Sequence, residues 1–146
     1  MNNYTEEVSD KLNGLLEKNY DAAQGYKTAA ENVDNEILTK FFNRRQKERE
    51  KFGNQLKEEI KSYGQTPEMR GSVLGKTHRM WMNAKTFFTE NNQQAILDEV
   101  LRGEKEAIKE YNEVINTKKN LPQSTLDMLT SHRDAILLDA VAVNNL

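Results

Sequence analysis

Glu48 and Glu104 are the residues whose type and placement come closest to metal chemistry in this chain. Carboxylates that meet inside a helical bundle bind paired iron or manganese ions. A complete site takes a Glu from each of two helices and a Glu-x-x-His motif from each of the other two. The spacing has a physical basis: residues three apart share a helix face, so carboxylate and imidazole reach the same ions. Here Glu104 is kept, but the matching place on an earlier segment holds Asn19, a weak neutral ligand. Glu48 is followed three residues later by Lys51, where histidine is required. On the last segment the corresponding places are Ile136 and Asp139. Arg45 and Arg133 lie on the same lines, where they repel a dication and offer the carboxylates a different partner.

These residues lead us to expect a structural network of Asn19, Arg45, Glu48, Glu104 and Arg133, in which guanidinium groups supply the charge that a metal would supply. No catalytic residue and no cofactor are expected. The alternative is an unconventional iron or manganese site built from Glu48, Glu104 and His132. Tyr26 and Tyr111 fall seven residues after Asn19 and Glu104, two turns along the same face, and are expected as core aromatics whose hydroxyls meet polar neighbours. The two histidines, His78 and His132, stand in no ligand spacing and are expected to serve packing or surface roles.

The elements that must position these groups announce themselves by repetition. Leu12 to Ala30 returns as Leu97 to Ile115, with Leu12/Leu97, Leu15/Val100, Leu16/Leu101, Ala22/Ala107 and Tyr26/Tyr111 in register. An echo at one constant offset implies two related helical hairpins. Val8, Leu12, Leu15, Asn19, Ala22, Tyr26, Ala29 and Val33 alternate steps of four and three, the pattern of a helix packed lengthwise. After Asp34 and Asn35, either of which can cap a helix, a second seam runs Leu38, Phe41, Arg45, Glu48, Phe52, Leu56, Tyr63. It ends near Gly64, before a loop at Thr66 and Pro67. A third seam carries Leu97, Val100, Glu104, Ala107, Tyr111 and Val114. A fourth, with Ser124 as N-cap, carries Leu126, Leu129, Arg133, Ile136, Ala140 and Val143.

Between the second and third seams the connection runs to about thirty residues, far more than the roughly 2 to 8 usual between bundle helices. Its Thr77 to Phe88 stretch keeps helical spacing and is expected as a short extra helix. That length lets the third helix run parallel to the second. The expected fold is therefore all-α: a ferritin-like four-helix bundle of two hairpins joined by a long crossover, forming one domain over 1–146.

Composition narrows the function further. With no cysteine, disulfides, thiolate nucleophiles, zinc fingers and iron-sulfur clusters drop out. The formal charge of −2, with Arg44, Arg45, Lys47, Arg49 and Lys51 interleaved by Glu48 and Glu50, gives no basic stripe for nucleic acid. No stretch approaches the roughly twenty apolar residues of a membrane span, and the N-terminus has no leader pattern, so the expectation is cytoplasmic. Met80, Trp81, Met82, Phe87 and Phe88 are more large apolar groups than one narrow stripe uses. The Thr77 to Phe88 segment is accordingly the candidate surface for a homodimer or protein partner.

The run from GYKTAAE (Gly25 to Glu31), through the Glu48-Arg49 pair, GSVLGKTHRMWMNAK (Gly71 to Lys85) and ILDEVLRGEKEAIKEY (Ile96 to Tyr111), to Leu121-Pro122 resembles an uncharacterised bacterial four-helix-bundle family, a domain of unknown function in the ferritin-like superfamily. The resemblance covers roughly Leu12 to Val141. It implies the fold but brings no catalytic residue or substrate, and Asn19, Lys51, Ile136 and Asp139 depart from the ligand set of iron-binding relatives. The expected role is non-catalytic, stress-associated or interaction-based.

Overall fold

A computed structural model describes residues 2–67, 93–117 and 121–145, with side chains from Glu6 onward. All regular structure among them is helical: α1 (Asn2–Asn32), α2 (Glu36–Ser62), α3 (Gln93–Ile115) and α4 (Gln123–Asn144). The expected helix over Thr77 to Phe88, its partner surface and His78 lie outside the described residues.

The break between α1 and α2 follows from one side chain. Asn35 is extended (φ −157°), and its Oδ1 accepts the Leu38 backbone N–H at 3.1 Å, satisfying a donor that the first turn leaves without a partner. Termination of α2 is equally local. Gly64 takes φ +75°, a conformation with little steric cost only for glycine, while Tyr63 and Gln65 both donate to the Ile60 carbonyl. At α4 the expectation fails: the cap is Pro122, which offers no side-chain acceptor, and Ser124 lies inside the first turn.

Side-chain partners fix the topology. Arg49 meets Asn19 and Phe42 packs on Tyr26, so α1 and α2 are antiparallel. Lys18 pairs with Glu110 and Asn35 with Gln93, which runs α3 against α1 and hence along α2. Thr125 bonds Glu59, and Asp139 pairs with Arg45, so α4 is antiparallel to α2. This is the parallel α2/α3 arrangement that the long connection permits. One apolar cluster joins Leu12, Leu16, Phe52, Leu56, Tyr111, Val114, Leu129 and Ile136. A second joins Tyr26, Leu38, Phe41, Phe42, Ile96, Leu97 and Val143. Between the two clusters the bundle is polar.

The buried register of α2 and α4 differs from the sequence expectation. Fully or nearly buried positions pair Leu38 with Thr125, Phe42 with Leu129, Arg45 with His132, Arg49 with Ile136, Phe52 with Asp139 and Leu56 with Val143. The expected correspondence of Glu48 with Ile136, and of Arg45 with Arg133, is one residue out. Steps of three and four fit either line. α4 carries large apolar residues on opposite faces, so its pattern alone does not select the inner one.

Candidate functional site: a buried arginine between the helical hairpins

Arg49 is the centre of the polar layer. At 2% exposure it is the bulkiest of the fully buried side chains. Its Nε donates to Asn19 Oδ1 at 2.7 Å and its Nη1 to Glu104 Oε1 at 3.0 Å. The two positions that echo each other in the sequence thus grasp one guanidinium from opposite helices. Burial alone would lower the Arg49 pKa, but Glu104, with Tyr26, Tyr111 and Glu48, outweighs it and the net shift is upward.

From Asn19 the hydrogen bonds continue in one direction. The Asn19 amide donates to the Leu15 carbonyl at 2.9 Å and to Tyr111 Oη at 2.8 Å. Tyr111 Oη lies 2.9 Å from His132 Nδ1, and His132 Nε2 lies 2.7 Å from Gln55 Oε1. Because Gln55 presents an oxygen, Nε2 carries the imidazole proton, and Nδ1 accepts the Tyr111 hydroxyl. Phe52 stacks on the imidazole, with centroids 4.0 Å apart and planes 15° apart. Burial first, then the positive charges of Arg49 and Lys51, push His132 down to about 4, so the ring is neutral at pH 7. Burial likewise pushes Tyr111 up to about 12 against the opposing pull of Arg49 and the Asn19 bond.

Arg45 forms a second centre. It donates to Glu48 Oε2 at 3.1 Å and forms a buried ion pair with Asp139. Desolvation lowers its pKa, with Glu48 acting in the opposite sense. Tyr26 completes the echo: burial first, then the neighbouring Glu104 carboxylate, raise it well above its ordinary value, so it stays a phenol. Each tyrosine therefore addresses the other repeat, Tyr111 reaching Asn19 and Tyr26 lying beside Glu104.

Of the residues singled out from sequence, the structure brings Asn19 and Glu104 together on Arg49, and Arg45 with Glu48. It does not bring in Arg133, which is part-exposed and donates to Asn112 Oδ1 at 3.0 Å. The missed members are Arg49, Asp139 as an ion-pair partner, Gln55, and His132 as a buried link. The Glu48-Arg49 pair lay in plain view, and only the choice between neighbours was open. No three Asp, Glu or His side chains among the described residues group closely enough to hold a metal ion. One oxygen each of Glu48, Glu104 and Asp139, and the Tyr26 hydroxyl, are buried without a hydrogen-bond partner.

Comparison with known proteins agrees with this architecture. Residues 7–117 match the model of a domain of unknown function, DUF2383. No curated protein matches the sequence. The solved structure of a Mycobacterium smegmatis Dps1 mutant superposes with a TM-score of 0.81 at 15% identity, over 99% of this chain and 97% of that one. At that identity the likeness concerns the fold, which is ferritin-like. No described helix is long and apolar enough to cross a membrane.

Proposed function

This chain belongs to the DUF2383 family, a domain of unknown function, and from that premise we propose a non-catalytic bundle whose polar seam is held by arginine in place of metal. The observation that carries the reading is the Arg49 guanidinium, fully buried and bound to both Asn19 and Glu104. A fixed cation at that position supplies the charge the carboxylate needs. It also raises the cost of bringing in a divalent ion. The donor set points the same way, since Glu48 and Asp139 are engaged by Arg45. The role that follows in this reading is structural or interaction-based, and stress-associated; the family resemblance adds a bacterial source, and the lack of a long apolar span among the described helices is compatible with the cytoplasm.

The unpartnered oxygens of Glu48, Glu104 and Asp139 favour the alternative, an iron or manganese protein with few ligands. Elemental analysis separates the two. Protein purified without added metal or chelator, and again after ferrous iron under nitrogen followed by desalting, is expected to carry negligible metal. Stoichiometric metal that disappears in Glu104→Ala would establish the alternative instead.

A further inference from the structure

The hydrogen bonds that cross the polar layer run in one direction, and Arg49 dictates it. A guanidinium has five donors and no acceptor. Asn19 therefore turns its oxygen to Arg49 Nε, 2.7 Å away. Its amide hydrogens are then used on the Leu15 carbonyl at 2.9 Å and on Tyr111 Oη at 2.8 Å. Tyr111 Oη thus accepts from α1 and has one hydrogen of its own to give, and His132 Nδ1 stands 2.9 Å away to take it. Only a ring protonated on Nε2 alone accepts there, and that Nε2 donates to Gln55 Oε1 at 2.7 Å. The chain leads from α2 through α1, α3 and α4 back to α2. Gln55, at its far end, is exposed and free to turn its amide, so it follows the direction of the chain and does not set it.

A second proton on His132 breaks this order. Nδ1 becomes a donor, Tyr111 Oη receives from both Asn19 and His132, and the tyrosine hydrogen loses its acceptor in a side chain that is 1% exposed. Tyr111 regains an acceptor only by leaving the chain, and the Asn19–Tyr111 bond between the hairpins goes with it. The groups facing the ring do not relieve this. α2 presents the cationic Arg49 and Lys51, with Phe52 stacked on the imidazole, and α3 presents the Tyr111 phenol. α1 bears on the ring through the neutral Asn19, and Arg133, next to His132 on α4, is turned to Asn112.

We propose that this chain is a proton-operated latch between the hairpins: Asn19, oriented by Arg49, positions the Tyr111 hydroxyl so that the latch is closed only while His132 is neutral. Asn19 is a positioning residue that governs His132 without touching it. The latch rests on Arg49 as the fixed cation of the seam; the place of the ring proton tests the latch, whereas metal content tests that reading, so the two fail separately.

Long-range 15N–1H correlation spectra of the imidazole, assigned against His132→Gln, show which nitrogen carries the proton and follow its titration. The wild-type ring is expected to be protonated on Nε2 at pH 7. The Tyr111 hydroxyl proton is expected to be visible there and to be lost along the same curve as His132 charges. Asn19→Asp keeps the shape of the side chain but accepts from Arg49 and from the Tyr111 hydroxyl alike. Tyr111 Oη then faces His132 as an acceptor only. The neutral ring is expected to move its proton to Nδ1, with the Gln55 amide turning to donate to Nε2. The titration midpoint is expected to rise by about one pH unit or more, a tenfold gain in proton affinity. A carboxylate acting through its charge alone raises the midpoint but leaves the proton on Nε2. In Asn19→Asp with Tyr111→Phe the chain is cut, Nδ1 has no partner, and the proton is expected on Nε2 again. A wild-type ring protonated on Nδ1, a Tyr111 hydroxyl signal that persists after the ring is charged, an Asn19→Asp ring that stays protonated on Nε2, or a double variant that keeps the Nδ1 proton would each overturn the proposal. The first two need no substitution, so they decide even where a variant does not fold.

Discussion

Asn19 is an amide because its position has to give and receive at once. Its oxygen accepts a hydrogen bond from Arg49 Nε–H, and its nitrogen donates to Tyr111, whose own hydroxyl donates to His132. A carboxylate there, the ligand a metal site would want, has no proton for Tyr111. Removing Arg49 leaves Glu104 and the Asn19 oxygen buried with nothing to neutralise them. Arg49→Met is therefore expected to cost 3–5 kcal/mol, on the order found for broken buried ion pairs, and adding Glu104→Leu to recover most of it. Arg133→Ala, with a half-exposed guanidinium on Asn112, is expected to cost less than about 1 kcal/mol. Urea unfolding of the three variants checks the ranking. Asn19 and Glu104 could be found from the internal repeat because an echo survives ignorance of the register. Arg49 could not. Between fixed points at Arg45 and Phe52, burying residue 48 or 49 satisfies the same three-four rhythm, and the choice is settled by partners on other helices that a linear pattern does not contain.

The helices divide in the same way into what local chemistry decides and what packing decides. The end of α2 at Gly64 and its start at Asn35 follow from backbone needs confined to a few residues, and both were visible in the sequence. The inner face of α4 was not, because leucines on its outer side compete with those on its inner side. Close approach between α1 and α2 is another such case. A Cβ placed on Gly53 would lie 2.5 Å from Tyr20 Cε1, while the Tyr20 hydroxyl is anchored on Asn54 at 2.6 Å. Alanine favours a helix over glycine by about 1 kcal/mol, yet Gly53→Ala is expected to lose 1–2 kcal/mol net because the anchored ring has to move. In a Tyr20→Ala background the same change is expected to be neutral or stabilising. Thermal unfolding of the single and double variants gives the sign.

Taken as one molecule, the bundle is acid-labile for a reason that can be traced to His132. Its pKa of about 4 in the folded chain lies below the unfolded value near 6.5. Between those values the unfolded chain binds the extra proton, so stability rises with pH there. The contribution is complete above pH 6.5 and is lost as the pH falls toward 4, amounting to roughly 2–3 kcal/mol at pH 4.5. Comparing urea midpoints at pH 7 and 4.5 is expected to show this drop, with a smaller one in His132→Gln, which subtracts the carboxylates' share. The topology itself was readable from the sequence, since a connection of about thirty residues leaves few ways to place α3. The same topology separates near contacts from far ones. Within each hairpin the partners are close along the chain, whereas the bonds from Arg49 to Glu104 and from Asn19 to Tyr111 bridge 55 and 92 residues. Contacts so distant form after loop closure, when the two hairpins dock and shed the last water between them. Bonds made after the rate-limiting barrier slow unfolding without hastening folding. Arg49→Met is therefore expected to shorten the lifetime of the folded bundle more than it slows assembly, a difference that stopped-flow unfolding and refolding in urea reads directly.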